Sequence, residues 1–251
     1  MSTLQITHVG HGTNLIQIQG QNFLTDPVFS KKIFRIFKRH KPEGLAPQDL
    51  PPLSAILVSH AHYDHLDIFS YKYFKTTLPV IVPKGLGKFF SKFLPNPVVE
   101  LAPGGKHLQQ GVEIHALPVR HHGSRWLPIR YRAATAYLLK SPEACVYFCG
   151  DSAYGPHFQN AGEKFPIDAA LLPIGGYHPR WWLKNQKMTP EEALQAFEDL
   201  RAKQMIPVNW GVFDFFRENP EEAWKRLQAE ASAKSLGARV RLLQPGQVYS
   251  A

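Results

Sequence analysis

The chain is short of cysteine, of acidic charge and of long apolar runs. The two cysteines, Cys145 and Cys149, exclude a disulfide framework. Four residues apart in an apolar run, they share one face of a strand, about 13 Å apart at strand rise and beyond disulfide reach. They read as buried thiols of a reducing compartment. No apolar stretch approaches the length of a membrane span. The opening Met-Ser-Thr-Leu-Gln-Ile-Thr-His lacks a basic region followed by an apolar one, so no secretory signal is expected. The expected location is cytoplasmic. Acidic residues number 20 against 29 Lys and Arg, a net charge of +9. That excess favours an anionic partner: a phosphate ester, a nucleic acid or an acidic membrane surface.

What is present suits one globular unit. The 251 residues are 44% hydrophobic and 20% charged, enough for a sizeable core without staples. Leu4–Val9, Asn14–Gln19 and Asn22–Thr25 read as an antiparallel meander, with Gly20 at a turn and Asp26-Pro27 as its end. Further strands are expected at Ser54–Ser59, Val80–Val82, Val112–Pro118, Ala134–Leu139, Cys145–Cys149, Ala169–Leu172, Met205–Val208 and Val240–Leu243. Helices are expected at Gly85–Phe93, Pro190–Lys203 and Pro220–Ser235, and Tyr71–Lys75 is expected to close another. Pro190 and Pro220 each stand at a helix start, followed by Glu-Glu in the first turn. No linker or low-complexity stretch interrupts the chain, so residues 1–251 form one α/β domain with helices outside a pair of packed sheets. The basic, aromatic segment 31–41 (KKIFRIFKRHK) reads as an amphipathic helix on an anionic membrane or over the active site, or as a surface lid packing its aromatics inward.

The strongest chemical signal is His60-Ala61-His62-Tyr63-Asp64-His65. Imidazole nitrogens and a carboxylate suit zinc and similar divalent ions. On an extended segment the 60/62 pair points both rings to one side. With 12 His in the chain, the pattern arises by chance about once in a thousand such compositions. An ion so held lowers the pKa of its water toward neutrality and supplies a nucleophile.

This HxHxDH motif after an apolar strand resembles the signature of the metallo-β-lactamase superfamily. More specifically, the chain resembles the branch of N-acyl-phosphatidylethanolamine-hydrolysing phospholipase D and its bacterial relatives. The resemblance runs through His8–Thr13, Leu24–Ser30, Ser59–His65, Pro118–His121, Gly150–Tyr154, Pro179–Trp182, Pro190–Ala193 and Trp210–Phe213. It implies a four-layer αββα metallo-β-lactamase-like sandwich. It also implies that His60, His62 and His121 hold a first metal, that Asp64 and His65 hold a second, and that Asp151 bridges them. The cofactor so implied is zinc, one or two ions, with manganese or iron as alternatives in the second position.

Three positions depart from the branch. Asn209 stands where it carries a His before Trp-Gly, which leaves Asn209 as a weak metal ligand. His178 replaces a Glu and Lys187 a His. The implied activity is a metal-dependent hydrolase, a phosphodiesterase acting on a phospholipid-like or other anionic phosphate ester. Asp64, His178 and Lys187 are the candidate catalytic groups. Arg120, Arg180 and Trp181 are candidates for substrate contact, with Arg125, Arg130, Arg132 and Lys184 adding positive charge. A small-molecule or lipid phosphate ester is the expected partner, with peripheral membrane contact through 31–41 and no specific nucleic acid. A lactonase or other carbon-centred hydrolase on the same fold, a nuclease of the same superfamily, which the basic charge allows though no separate nucleic-acid-binding arm is seen, and a metal- or lipid-binding protein with weakened catalysis are the rival readings.

Overall fold

The computed structural model describes residues 3–33, 36–125, 133–213 and 219–251. In chain order its strands begin with β1 (Leu4–Gly10), β2 (Thr13–Ile18), β3 (Gln21–Thr25), β4 (Lys32–Ile33), β5 (Phe37–Lys38), β6 (Ala55–Leu57), β7 (Val80–Pro83) and β8 (Val98–Leu101). They continue with β9 (Lys106–Gln109), β10 (Val112–Leu117), β11 (Ala136–Lys140), β12 (Cys145–Phe148), β13 (Ala169–Pro173), β14 (Gln204–Val208) and β15 (Val248–Ser250). The helices are α1 (Gly87–Phe93), α2 (His157–Lys164), α3 (Arg180–Leu183), α4 (Pro190–Asp199) and α5 (Pro220–Ala233). One sheet runs β15-β1-β2-β3-β6-β7-β8 and the other β14-β13-β12-β11-β10-β9.

Alternation along the strands explains the layering. Ile6, Ile16, Phe23, Leu57 and Ile81 of the first sheet meet Ile114, Tyr137, Val146, Leu171 and Ile206 of the second in a central core. The opposite face of the second sheet carries Leu138, Tyr147, Leu172 and Met205, covered by Phe158 of α2, Phe197 of α4 and Leu227 of α5. The opposite face of the first carries Leu15, Leu24, Ile56 and Val80, covered by Phe89 and Phe90 of α1. Both faces of each sheet are therefore apolar, which is what β strands sandwiched between helices and a partner sheet require. Both cysteines are free and buried, in the layer under α2 and α4.

The helix starts fall where the sequence places them. Thr189 caps α4 through a full capping box with Glu192, and Asn219 caps α5. Both helices end earlier than expected, α4 because the chain must turn at Arg201 (φ 52°) to enter β14.

Several expectations are corrected. The segment 31–41 is not a helix in its described residues: β4 and β5 pair antiparallel, with Ile33 opposite Phe37. Ile33 is buried against Val28, Val212 and Phe213, and Arg39 donates to the carbonyls of Val28 and Ser30. Packing of Ile33 onto the domain, rather than a helical stripe, accompanies that local structure. The helix expected to close at Tyr71–Lys75 is a 3₁₀ segment, Ile68–Tyr73. Val240–Leu243 forms only a single bridge, at Val240. The short strands β8, β9 and β15 and helices α2 and α3 had no sequence expectation. No helix among the described residues is long and apolar enough to cross a membrane.

Candidate metal centre

Six strands end at one edge of the sandwich, and each delivers a polar side chain just past its carboxyl end. β1 delivers His11, β3 Asp26, β6 His60, β10 His121, β12 Asp151 and β14 Asn209. The loop after β6 adds His62, Asp64 and His65. Three of these turns need left-handed backbone at a non-glycine residue: His11 (φ 56°), Asp26 (φ 34°) and Asn209 (φ 58°). Such strain gathers where a site is being shaped. Gly150 (φ 64°) brings β12 against the loop after β6, where any Cβ would overlap the Cβ of Ser59.

The first group is His60, His62, His121 and Asp151. His62 Nδ1 lies 3.0 Å from His60 Nε2 and 3.2 Å from His121 Nε2. Asp151 Oδ2 lies 3.5 Å from His60 Nε2 and 3.7 Å from His121 Nε2. Two ligand atoms on a tetrahedral zinc are about 3.4 Å apart, so these separations suit an ion at their centre.

The protons support the same reading. Ser59 Oγ donates to Asp26 Oδ2 at 2.5 Å, so at 2.9 Å from His60 Nδ1 it acts as acceptor. His121 Nδ1 donates to the Gln186 carbonyl at 2.8 Å. Each neutral ring then directs a bare Nε2 inward, and one proton on His62 Nδ1 satisfies only one of them. Burial depresses the pKa of all three rings, that of His121 to about 3. Neutral imidazoles crowded lone pair to lone pair call for a cation.

The second group is His11, Asp64 and His65. His65 Nδ1 donates to Asp26 Oδ2 at 2.6 Å. Its Nε2 lies 3.3 Å from Asp151 Oδ2 and 3.5 Å from Asp64 Oδ2. Burial opposes charge on His65, but Asp151, Asp64 and Asp26 outweigh it and push the ring up to about 10. Without an ion, a proton supplies the positive charge these carboxylates require. Asp151 therefore sits at the joint of both groups. Burial would raise its pKa, yet Lys187 and His65 hold it well below the usual carboxylate range.

The remaining expected residues divide. Lys187 enters the site and its Nζ hydrogen-bonds Asp151 Oδ2. Asn209 Nδ2 donates to Asp151 Oδ1 at 2.8 Å, so nitrogen rather than oxygen faces the cluster; its Oδ1 is buried and accepts no hydrogen bond. Arg180 pairs with Glu192 and donates to the Lys187 carbonyl at 2.7 Å. It braces the segment carrying Lys187 and is not poised for substrate. Arg120 donates to the Tyr154 carbonyl at 2.7 Å and to Asn185 at 3.3 Å. Arg125 holds the Leu66 carbonyl and stacks 4.1 Å over the Tyr63 ring, which fixes the ligand loop. His178 packs on Tyr177, 4.0 Å from Glu222 of α5. Trp181 stands 81% exposed on α3. Arg130 and Arg132 lie outside the described residues. Sequence reasoning missed His11 and Asp26 as site residues. Both fall inside stretches that carry the family resemblance, but neither has ligand spacing to any other residue.

A β-β sandwich between helices with a His/Asp cluster at one edge defines a metallo-β-lactamase-type fold. The β-lactamase superfamily domain matches residues 21–210. The chain belongs to that superfamily. It is 35% identical over 231 residues to N-acyl-phosphatidylethanolamine-hydrolyzing phospholipase D 1 of Caenorhabditis elegans, a match covering 84% of this chain and 65% of that protein. It is 28% identical to a metal-dependent hydrolase of Pyrobaculum aerophilum, over 98% of this chain and 99% of the relative. The crystal structure of a possible metal-dependent hydrolase from Veillonella parvula superposes with a TM-score of 0.83 at 16% identity, covering all of both chains.

Proposed function

We propose that the protein is a phosphodiesterase that hydrolyses an anionic, phospholipid-like phosphate ester. The observation that carries the hydrolytic reading is the convergence of His60 Nε2, His62 Nδ1, His121 Nε2 and Asp151 Oδ2 on one point, with more inward-facing lone pairs than protons to satisfy them. His60, His62, His121 and Asp151 would hold one divalent ion, and Asp64 and His65 would belong to a second. When bound, the ions supply Lewis acidity and a water acidic enough to serve as nucleophile near neutral pH.

The chain's own groups do the rest. Asn209 fixes one oxygen of Asp151 and so orients the carboxylate within the cluster. Lys187 sets an ammonium beside that oxygen, 13% exposed at the side chain. There it stabilises charge building on a phosphoryl oxygen and gives the leaving oxygen a proton. Arg180 and Glu192 hold the Lys187 segment in register. His178, turned toward Glu222, takes no part in this scheme. A cation inside the site, the +9 net charge and the activity named for the Caenorhabditis relative support a phosphodiester over a lactone. The exposed Lys31, Lys32 and Lys38 of the β4–β5 hairpin suit contact with an anionic lipid surface.

Zinc- and manganese-loaded protein, offered bis(4-nitrophenyl) phosphate, vesicles of N-acylated phosphatidylethanolamine and an acyl lactone, tests the reading. Phosphodiester turnover that chelator abolishes is expected. Turnover of the lactone alone would overturn the substrate class.

A further inference from the structure

Asn209 leaves the second ion position without the ligand that the branch resemblance implies there. His11 lies on the neighbouring turn: the Asn209 backbone N–H donates to the His11 carbonyl at 3.2 Å. The His11 ring is 3% exposed, and its Nε2 is 3.1 Å from Asp64 Oδ2. Phe213 meets that ring edge-on at 5.2 Å and fixes its plane. The ring centroids of His11 and His65 are 5.4 Å apart, and all ligand atoms of His11, Asp64 and His65 fall within 4.8 Å of one another. Gly12 lets the turn close: a Cβ there would stand 3.1 Å from Asn209 Oδ1 and 3.2 Å from His65 Nδ1.

We propose that His11, rather than Asn209, completes a second metal position with Asp64, His65 and the shared Asp151 Oδ2. This rests on reading the His60 group as an ion site. An ordinary His–Asp hydrogen bond accounts for His11 and Asp64 alone. Asp64 Oδ2 also faces His65 Nε2 at 3.5 Å, and the other His65 nitrogen is committed to Asp26, so this side of the cluster requires positive charge, which either a proton on His65 or an ion supplies. A single ion held by these residues would supply that charge in place of the proton. Asn209 then acts as a positioning residue. Its Nδ2 holds Asp151 Oδ1, and the amide would have to turn, setting two acceptors against each other, for Oδ1 to ligate.

Elemental analysis of the purified, zinc-reconstituted full chain tests this, with His60→Ala, His11→Ala and Asn209→Ala beside the parent. Two ions in the parent, one in His11→Ala and two in Asn209→Ala are expected. Two ions in His11→Ala, or one in the parent, would overturn the second position while leaving the His60 site intact. No ion in the parent would instead sink the hydrolase reading beneath it. Should His11→Ala fail to fold, cobalt-substituted parent decides on the unaltered chain. Paramagnetically shifted proton signals from five imidazoles support the assignment, and signals from four overturn it.

Discussion

Asp26 is the buried carboxylate on which both halves of the metal centre depend, and Asp26→Asn isolates its contribution. Its Oδ1 accepts the Ser59 N–H at 2.7 Å, and its Oδ2 accepts the Ser59 hydroxyl at 2.5 Å and His65 Nδ1–H at 2.6 Å. Asparagine keeps the shape but has one acceptor oxygen. Either orientation of the amide sets its NH₂ against at least one of these donors in a site with no exposed surface. A stranded buried donor costs about 1–3 kcal/mol, and more when its partner carries charge. A total near 3 kcal/mol lowers the Tm of the metal-free protein by roughly 6–12 °C at this chain length. His65 also loses the group that fixes its tautomer, which weakens the ion it faces by about 10–100-fold. Calorimetry of the metal-free protein and a competition titration against a chromophoric chelator read the two effects separately. A variant with parental Tm and parental affinity at both positions would refute the claim that Asp26 organises the centre.

Other expectations follow from single contacts. Lys187→Met lowers kcat on the phosphodiester by at least about tenfold with metal content unchanged, as steady-state kinetics beside elemental analysis shows. Gly150→Ala forces a side chain onto Ser59 at a left-handed position; a loss of about 2 kcal/mol or more appears in thermal melts, together with weaker metal binding. His8 is buried, which lowers its pKa to about 4. The unfolded chain takes up that proton first, so stability falls as pH drops from about 6.5 to about 4, by roughly 3 kcal/mol from this group. His8→Gln therefore gives a shallower acid limb in Tm against pH.

The site was legible in the sequence only where its residues are neighbours. His60, His62, Asp64 and His65 fall in six positions because one loop carries them. His121 and Asp151 were reached through resemblance, since each follows a different strand. His11 and Asp26 stayed hidden: their partners are 53 and 39 residues away and meet them only once β1, β3 and β6 end at the same edge. The long, apolar strands and the proline-started helices were readable from local pattern. The edge strands β9 and β15 were not, because exposure on one side blurs their alternation. The helical reading of 31–41 failed because Ile33 and Phe37, four apart, fit a helical stripe and a tight hairpin pair equally well, whereas the surface-lid alternative agrees with Ile33 packing on the domain.

The central claim is that His60, His62, His121 and Asp151 close on a divalent ion. The most direct measurement is a crystal structure of zinc-soaked protein with anomalous data collected on both sides of the zinc edge. The account predicts an anomalous peak about 2.1 Å from His60 Nε2, His62 Nδ1 and His121 Nε2, with Asp151 Oδ2 alongside. An empty difference map at that point, with the three rings hydrogen-bonded to one another or to water, would contradict it.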